Sequence, residues 1–180
     1  MNIFVIDLDP RIAARHLVDK HISKMITETA QILSNCFTLG RMAMSDCPRN
    51  QKGEARKHSY PHHPCCKWAP QSRDNMRWLV EHAREMDIER IQRFGKVDAH
   101  FSVRFINWAF DNLSSSIAPE SGLTQFAQAM PDEYKSDNAV DAYRSYYSLG
   151  KAHLHKWTRN KPNWIEEIIN GHKIREGIIG

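Results

Sequence analysis

An amine becomes a nucleophile or a base when neighbouring groups tune it, and a carboxylate beside it can orient or move the proton. One stretch of this sequence crowds such groups together: His16, Asp19, Lys20, His21, Lys24 and Glu28. His16, Lys20 and Thr27 share one helical face, and His21, Lys24, Glu28 and Gln31 share a neighbouring one. Glu28 and Asp19 are candidate general acid–base groups. Lys20 and Lys24 are candidate nucleophilic amines or phosphate clamps, and His16 is a candidate for orientation or proton transfer. A solvated helix face braced by ion pairs, such as Lys24 with Glu28, would show the same pattern.

A second concentration is His58-x3-His62-His63-Pro64-Cys65-Cys66. Structural zinc sites use separated ligand pairs, and this run has no spaced C-x2-C. The sequence therefore calls for no metal and no cofactor. A His-Pro loop pressed against the charged helix face suits the residues better, with His63 as a hydrogen-bonding or acid–base group.

The third is the C-terminal segment. Arg144, Lys151, Lys156, Trp157, Arg159, Lys161 and Trp164 interleave cations with aromatic rings. Cations bind phosphates and rings stack on exposed bases, so these are candidate DNA-binding residues. Residues 143–161 hold five basic and no acidic side chains, and residues 41–71 hold six basic and two acidic ones. The net charge is only +4, so two basic segments lie on a mildly acidic body. That pattern fits a polyanion partner. No P-loop, dinucleotide glycine fingerprint, G-x-S-x-G or H-E-x-x-H occurs, which weighs against NTPases, dehydrogenases, serine hydrolases and zinc proteases.

The elements that must hold these groups are helical. A length of 180 residues suits one domain spanning 1–180. With 41% apolar residues and 26% charged ones, the chain reads as globular. No apolar run is long enough for a membrane span, and the N-terminus lacks the marks of a secretory signal. Four cysteines without an export signal suggest a reducing, cytoplasmic setting, in the host if the protein is viral. Apolar residues at helical spacing predict a first helix from about Pro10 to Leu39, stopped by Gly40 and either central or broken once. Residues 41–71 read as a proline-rich loop. Ser72 or Asp74 caps a second helix that Gly95 ends, and a third covers about Ser102 to Leu113. After a second long loop, Asp137 caps a fourth helix ending at Gly150. A fifth spans about Asn163–Asn170, stopped by Gly171. The prediction is an all-α, single compact domain of about five helices with two long loops, and a monomer. The cleft is expected between the first helix, the His62–Trp68 loop and the C-terminal segment, with Met130–Lys135 placed to close it.

The run Asp19-Lys20-His21-x2-Lys24-Met25-x2-Glu28-x2-Gln31 resembles a small-protein family widespread in tailed phages and large algal viruses. The likeness continues through His63-Pro64, Gly95-Lys96-x3-His100, Ala129-Met130-Pro131-Asp132 and Ala142-Tyr143-Arg144-x-Tyr146-Tyr147. More distantly, His16-Leu17, the Met76-to-Gly95 helix and Lys161-Pro162-Asn163-Trp164 resemble the phage pyrimidine-dimer DNA glycosylases of the endonuclease V type. That resemblance implies an endonuclease V-like helical fold, DNA as partner, and excision of a damaged or modified pyrimidine. It also implies an N-terminal α-amine as nucleophile and a glutamate on the first helix. Here the glutamate must be Glu28, later than in that family, and Asn2 is a poor context for removal of Met1. Three alternatives stay open. One is an amino-acid or polyamine transferase of thymidine hypermodification, in which His16, Lys20, Lys24 and Arg144 hold a pyrophosphate leaving group. Another is a non-catalytic nucleic-acid-binding protein. The third is an enzyme acting on free nucleotides or a small phosphorylated metabolite, which needs far less basic surface.

Overall fold

The computed structural model describes residues 1–39 and 46–177; Gly40, expected as a helix stop, and the first residues of the basic loop lie outside them. Seven α-helices are present and no strand occurs among the described residues. They are α1 (Pro10–Arg15), α2 (Asp19–Leu39), α3 (Pro64–Trp68), α4 (Arg73–Phe94), α5 (Val103–Asp111), α6 (Ala139–Ser145) and α7 (Trp164–Arg175). The all-α expectation holds, with two more helices than the pattern predicts.

Residues Ile3–Ile6 form an irregular arm, turned by a bond from the Ile6 N–H to the Phe4 carbonyl, whose side chains are all buried. The Phe4 ring stacks on His21 at 4.5 Å, so the arm lies against α2. Asp9 caps α1 by accepting from the Arg11 N–H, and Pro10 opens the helix where its missing N–H costs nothing. The predicted long helix is broken after Arg15. The groups freed at the break find partners far along the chain. The Val18 N–H donates to the Tyr147 hydroxyl, the Asp19 N–H donates to the Lys156 carbonyl, and Arg93 donates to the carbonyls of Arg15 and Leu17. Periodicity within residues 10–39 carries no trace of these partners.

α4 is the central helix and packs against α1, α2 and α5. Its start and stop are as the sequence predicts: the Ser72 Oγ accepts from the Asn75 N–H, and Gly95 ends the helix at φ 59°. The second half of α4 carries buried ionic groups. Arg93 has a fully buried side chain and bonds Glu89 at 2.7 Å and Asp19 at 3.1 Å. Within the described part of the loop, residues 46–71, α3 and a 3-10 turn (Ala69–Gln71) close the chain onto the core. Asn138, rather than Asp137, caps α6, and a π-type turn carries the chain from Tyr146 to Gly150. α7 runs through Gly171 instead of stopping there. No described helix is long and apolar enough to cross a membrane.

Two histidines are walled into this core. Burial, with the Lys24, Lys151 and Lys20 charges adding to it, pushes the His21 imidazole down to about 3. Burial alone does the same to His82, whose two ring nitrogens have no hydrogen-bond partner. Both are neutral when folded, and both take a proton in the unfolded chain below its ordinary value of about 6.5. Stability is therefore full above that pH and falls as the pH drops from there toward 3. Two such groups give a slope of about 2.7 kcal/mol per pH unit. Urea denaturation between pH 6 and 4.5 measures it. His82→Leu should remove about half of the slope and leave stability at pH 7 unchanged or higher, since it also removes two orphaned polar atoms. An unchanged slope would contradict the assignment.

Candidate active site and nucleic-acid groove

Glu28 stands on the outer side of α2 and meets the start of the chain. Its Oε2 accepts from the Asn2 N–H at 2.8 Å and lies 3.9 Å from the Met1 α-amine. Its Oε1 lies 3.5 Å from the Lys24 Nζ. The carboxylate side chain is 13% exposed, against 61% for Lys24, so it is sheltered yet reachable. Two amines thus flank one carboxylate. The arm brings its amine here because Ile3–Ile6 are anchored in the core and the Asn2 amide donates to the Ala129 carbonyl at 2.7 Å.

His63 belongs to the same cluster. Its Nδ1 accepts from the Cys65 N–H and caps α3, which aims the ring toward the chain start. Burial pushes its imidazole down, and the terminal ammonium adds to this against an upward pull from Glu28. The other residues of the His/Cys run scatter: His58 lines a groove, His62 is exposed, and Cys65 and Cys66 point into the core. Burial pushes the Cys65 thiol up to about 12, which disfavours the reactive thiolate.

Asp19 and His16 are elsewhere. Nine residues separate Asp19 from Glu28, roughly 14 Å along the helix. Asp19 binds the Thr158 N–H and hydroxyl and Arg93. Burial opposes its charge, but those bonds prevail and hold the carboxyl below its ordinary value. The His16 carbonyl accepts from the Trp157 Nε1, and its ring faces Trp164. Lys20 is exposed on the same outer face of α2 as Lys24.

The C-terminal segment clamps the α1–α2 break, so the expected three-sided cleft is not one cleft. Arg144 donates to the Ile6 carbonyl and to Asp7, and its guanidinium stacks over Trp164. Arg159 bonds Gln92, Lys161 pairs with Glu166, and Lys151 sits over the Tyr146 ring. Of the five expected cations, only Lys156 has a side chain without such a partner among the described residues.

A different concavity adjoins Glu28. It encloses about 910 Å³ between α2, the 50–59 loop and the 96–102 loop. Thr27 and Gln31 form part of its wall, one residue before and three residues after Glu28. Lys52, Lys57 and Lys96 line it, all exposed and without an ion-pair partner among the described residues. His58 and His100 add polar ring edges. The charge of the 41–71 segment points to a polyanion, but no local pattern joins Lys52 to Lys96. Spacing along α2 likewise does not include the Met1 amine, because only the folded arm returns it to Glu28.

The sequence model of the pyrimidine dimer DNA glycosylase family matches residues 1–102. This chain belongs to that family. The matched span holds the whole Met1–Lys24–Glu28–His63 cluster and every residue lining the groove, and excludes the C-terminal clamp. No curated protein and no solved structure shows a significant match to the chain. In general terms, the family match identifies an enzyme that acts on the bases of DNA.

Proposed function

We propose that the protein is an endonuclease V-like DNA glycosylase that excises a damaged or modified pyrimidine, with Glu28 and an adjacent amine as its reacting groups. The observation that carries this reading is the placement of two amines and one sheltered carboxylate within 4 Å at the edge of a basic groove. An α-amine is as a class a weaker base than a lysine amine, so more of it is free to attack near neutral pH. By that criterion Met1 is the first candidate nucleophile and Lys24 the second.

In this mechanism the amine nitrogen attacks C1′ of the deoxyribose. The C1′–N glycosidic bond breaks, and the pyrimidine leaves with the bonding pair and takes a proton. The Glu28 carboxylate receives a proton from the attacking nitrogen. The Glu28 carboxyl then passes that proton to O4′ as the sugar ring opens, which gives a C1′=N iminium that the restored carboxylate stabilises by its charge. His63 orients the chain start through the turn it caps. Duplex oligonucleotides carrying a cyclobutane thymine dimer test the reading directly: glycosidic cleavage, read as an alkali-labile strand break at the lesion because the cyclobutane ring keeps the detached thymine tethered, supports it. Tight binding without such cleavage there, or at other modified pyrimidines, contradicts it.

The groove is proposed as the path of the DNA backbone. Removing one phosphate-binding cation should reduce the slope of log K against log salt by about 0.9 on duplex DNA. Replacing Lys52, Lys57 and Lys96 together by Ala should therefore lower it by about 2.7. Replacing Lys151, Lys156 and Arg159 should change it by roughly 1 or less, since two of those three are engaged within the protein. The opposite ranking would move the DNA to the C-terminal face.

A further inference from the structure

Between the groove and the Glu28 cluster stands one aromatic ring that buries almost nothing. Tyr60 is 76% exposed, and its hydroxyl makes no hydrogen bond among the described residues. Its backbone has φ 52°, in the left-handed region that a glycine would occupy at lower cost. A residue needed only to make this turn would therefore not be tyrosine.

The turn itself is rigidly held. Asn35, fully buried on α2, donates to the Ser59 carbonyl at 2.7 Å and accepts from the Ser59 N–H at 2.9 Å. On the other side the His63 N–H donates to the Tyr60 carbonyl at 2.9 Å. Ser59 lines the groove, and His63 faces Met1 and Glu28. A bare ring is thus presented on a braced, strained turn, with unpaired lysines on one side and the reacting groups on the other.

Enzymes that act on a base inside a duplex must first unstack it, and an inserted side chain can take the place it leaves. We infer that Tyr60 is the wedge that enters the base stack at the lesion and holds the duplex open for Glu28. This rests on the DNA-base reading of the site. It makes Tyr60 a positioning residue, needed for a paired substrate and dispensable for an unpaired one.

The test uses a duplex with one cis-syn thymine dimer and 2-aminopurine beside it in the complementary strand. At saturating wild-type protein the 2-aminopurine emission should rise as stacking is lost. Tyr60→Gly relieves the positive φ and should melt no lower than wild type, yet leave the emission near that of free DNA. Tyr60→Phe, which keeps the ring, should restore the rise. Glycosidic cleavage in the duplex, read as alkali-labile strand breaks, should fall roughly tenfold or more in Tyr60→Gly, as expected for a lost base–aromatic stack. On the same strand without its complement the two should differ by less than about twofold, since no stack has to be opened. A full emission rise in Tyr60→Gly would overturn the inference, as would an equal loss on paired and unpaired substrate. If wild type cleaves no glycosidic bond in either substrate, the glycosylase reading fails, and the emission measurement still decides the wedge.

Discussion

Glu28→Gln should lower the rate of the chemical step by about 10²–10⁴-fold while changing DNA affinity by less than a few-fold. The glutamine keeps the shape of the side chain and an oxygen to accept from the Asn2 N–H. What it loses is the charge facing the Met1 amine and Lys24. A carboxylate that serves only as an acceptor for the arm would tolerate the change. One that takes a proton and steadies a cationic adduct would not. Single-turnover rates with bound DNA separate the two, because they remove binding from the comparison. Turnover within threefold of wild type would take Glu28 out of the mechanism.

Arg93→Met should destabilise the fold by about 3–5 kcal/mol, because it strips partners from a buried carboxylate. Glu89 is 1% exposed and would keep Asn160 and a distant Arg159 as its neighbours. The carbonyls of Arg15 and Leu17 would lose their donor as well, so the α1–α2 break would lose part of its support. In a chain of this length that corresponds to a fall in Tm on the order of 10 °C. The double variant Arg93→Met with Glu89→Gln should recover part of the loss, since it removes the stranded charge along with its partner. A single-variant loss below about 1 kcal/mol would mean that solvent reaches Glu89 freely.

The same arginine shows why the sequence could be read only so far. α4 was legible at both ends because a serine cap and a left-handed glycine are local signals. A break in the first helix was one of two expectations, but its place between α1 and α2 was not legible, because Tyr147, Lys156 and Arg93 hold it from 74 residues or more away in the chain. Gly171 misled in the opposite sense: within α7 the surrounding turns carry the helix past it. At the site, Glu28, Lys24 and His63 were visible as residue types on a charged face and in a His-Pro loop. Their meeting with Met1 depends on a buried N-terminal arm whose only sequence mark is a short apolar run. The basic-aromatic tail stood out by composition, yet four of its five cations engage ion pairs, carbonyls, an amide or a ring of the protein itself, which composition cannot distinguish from a nucleic-acid face. Lys52 and Lys57 show in the charge of their segment, but only the fold sets Lys96 opposite them.

Borohydride reduction during reaction with dimer-containing duplex DNA addresses the amine–carboxylate pair most directly. Hydride adds to the C1′=N iminium and leaves a stable secondary amine, so a trapped adduct names the nucleophile when its peptides are read by mass spectrometry. The expected result is one protein–DNA adduct on the Met1 α-amine, or on Lys24, and its disappearance in Glu28→Gln. Glycosidic cleavage with no trappable adduct, or an adduct on a lysine away from Glu28, would contradict amine catalysis at this site.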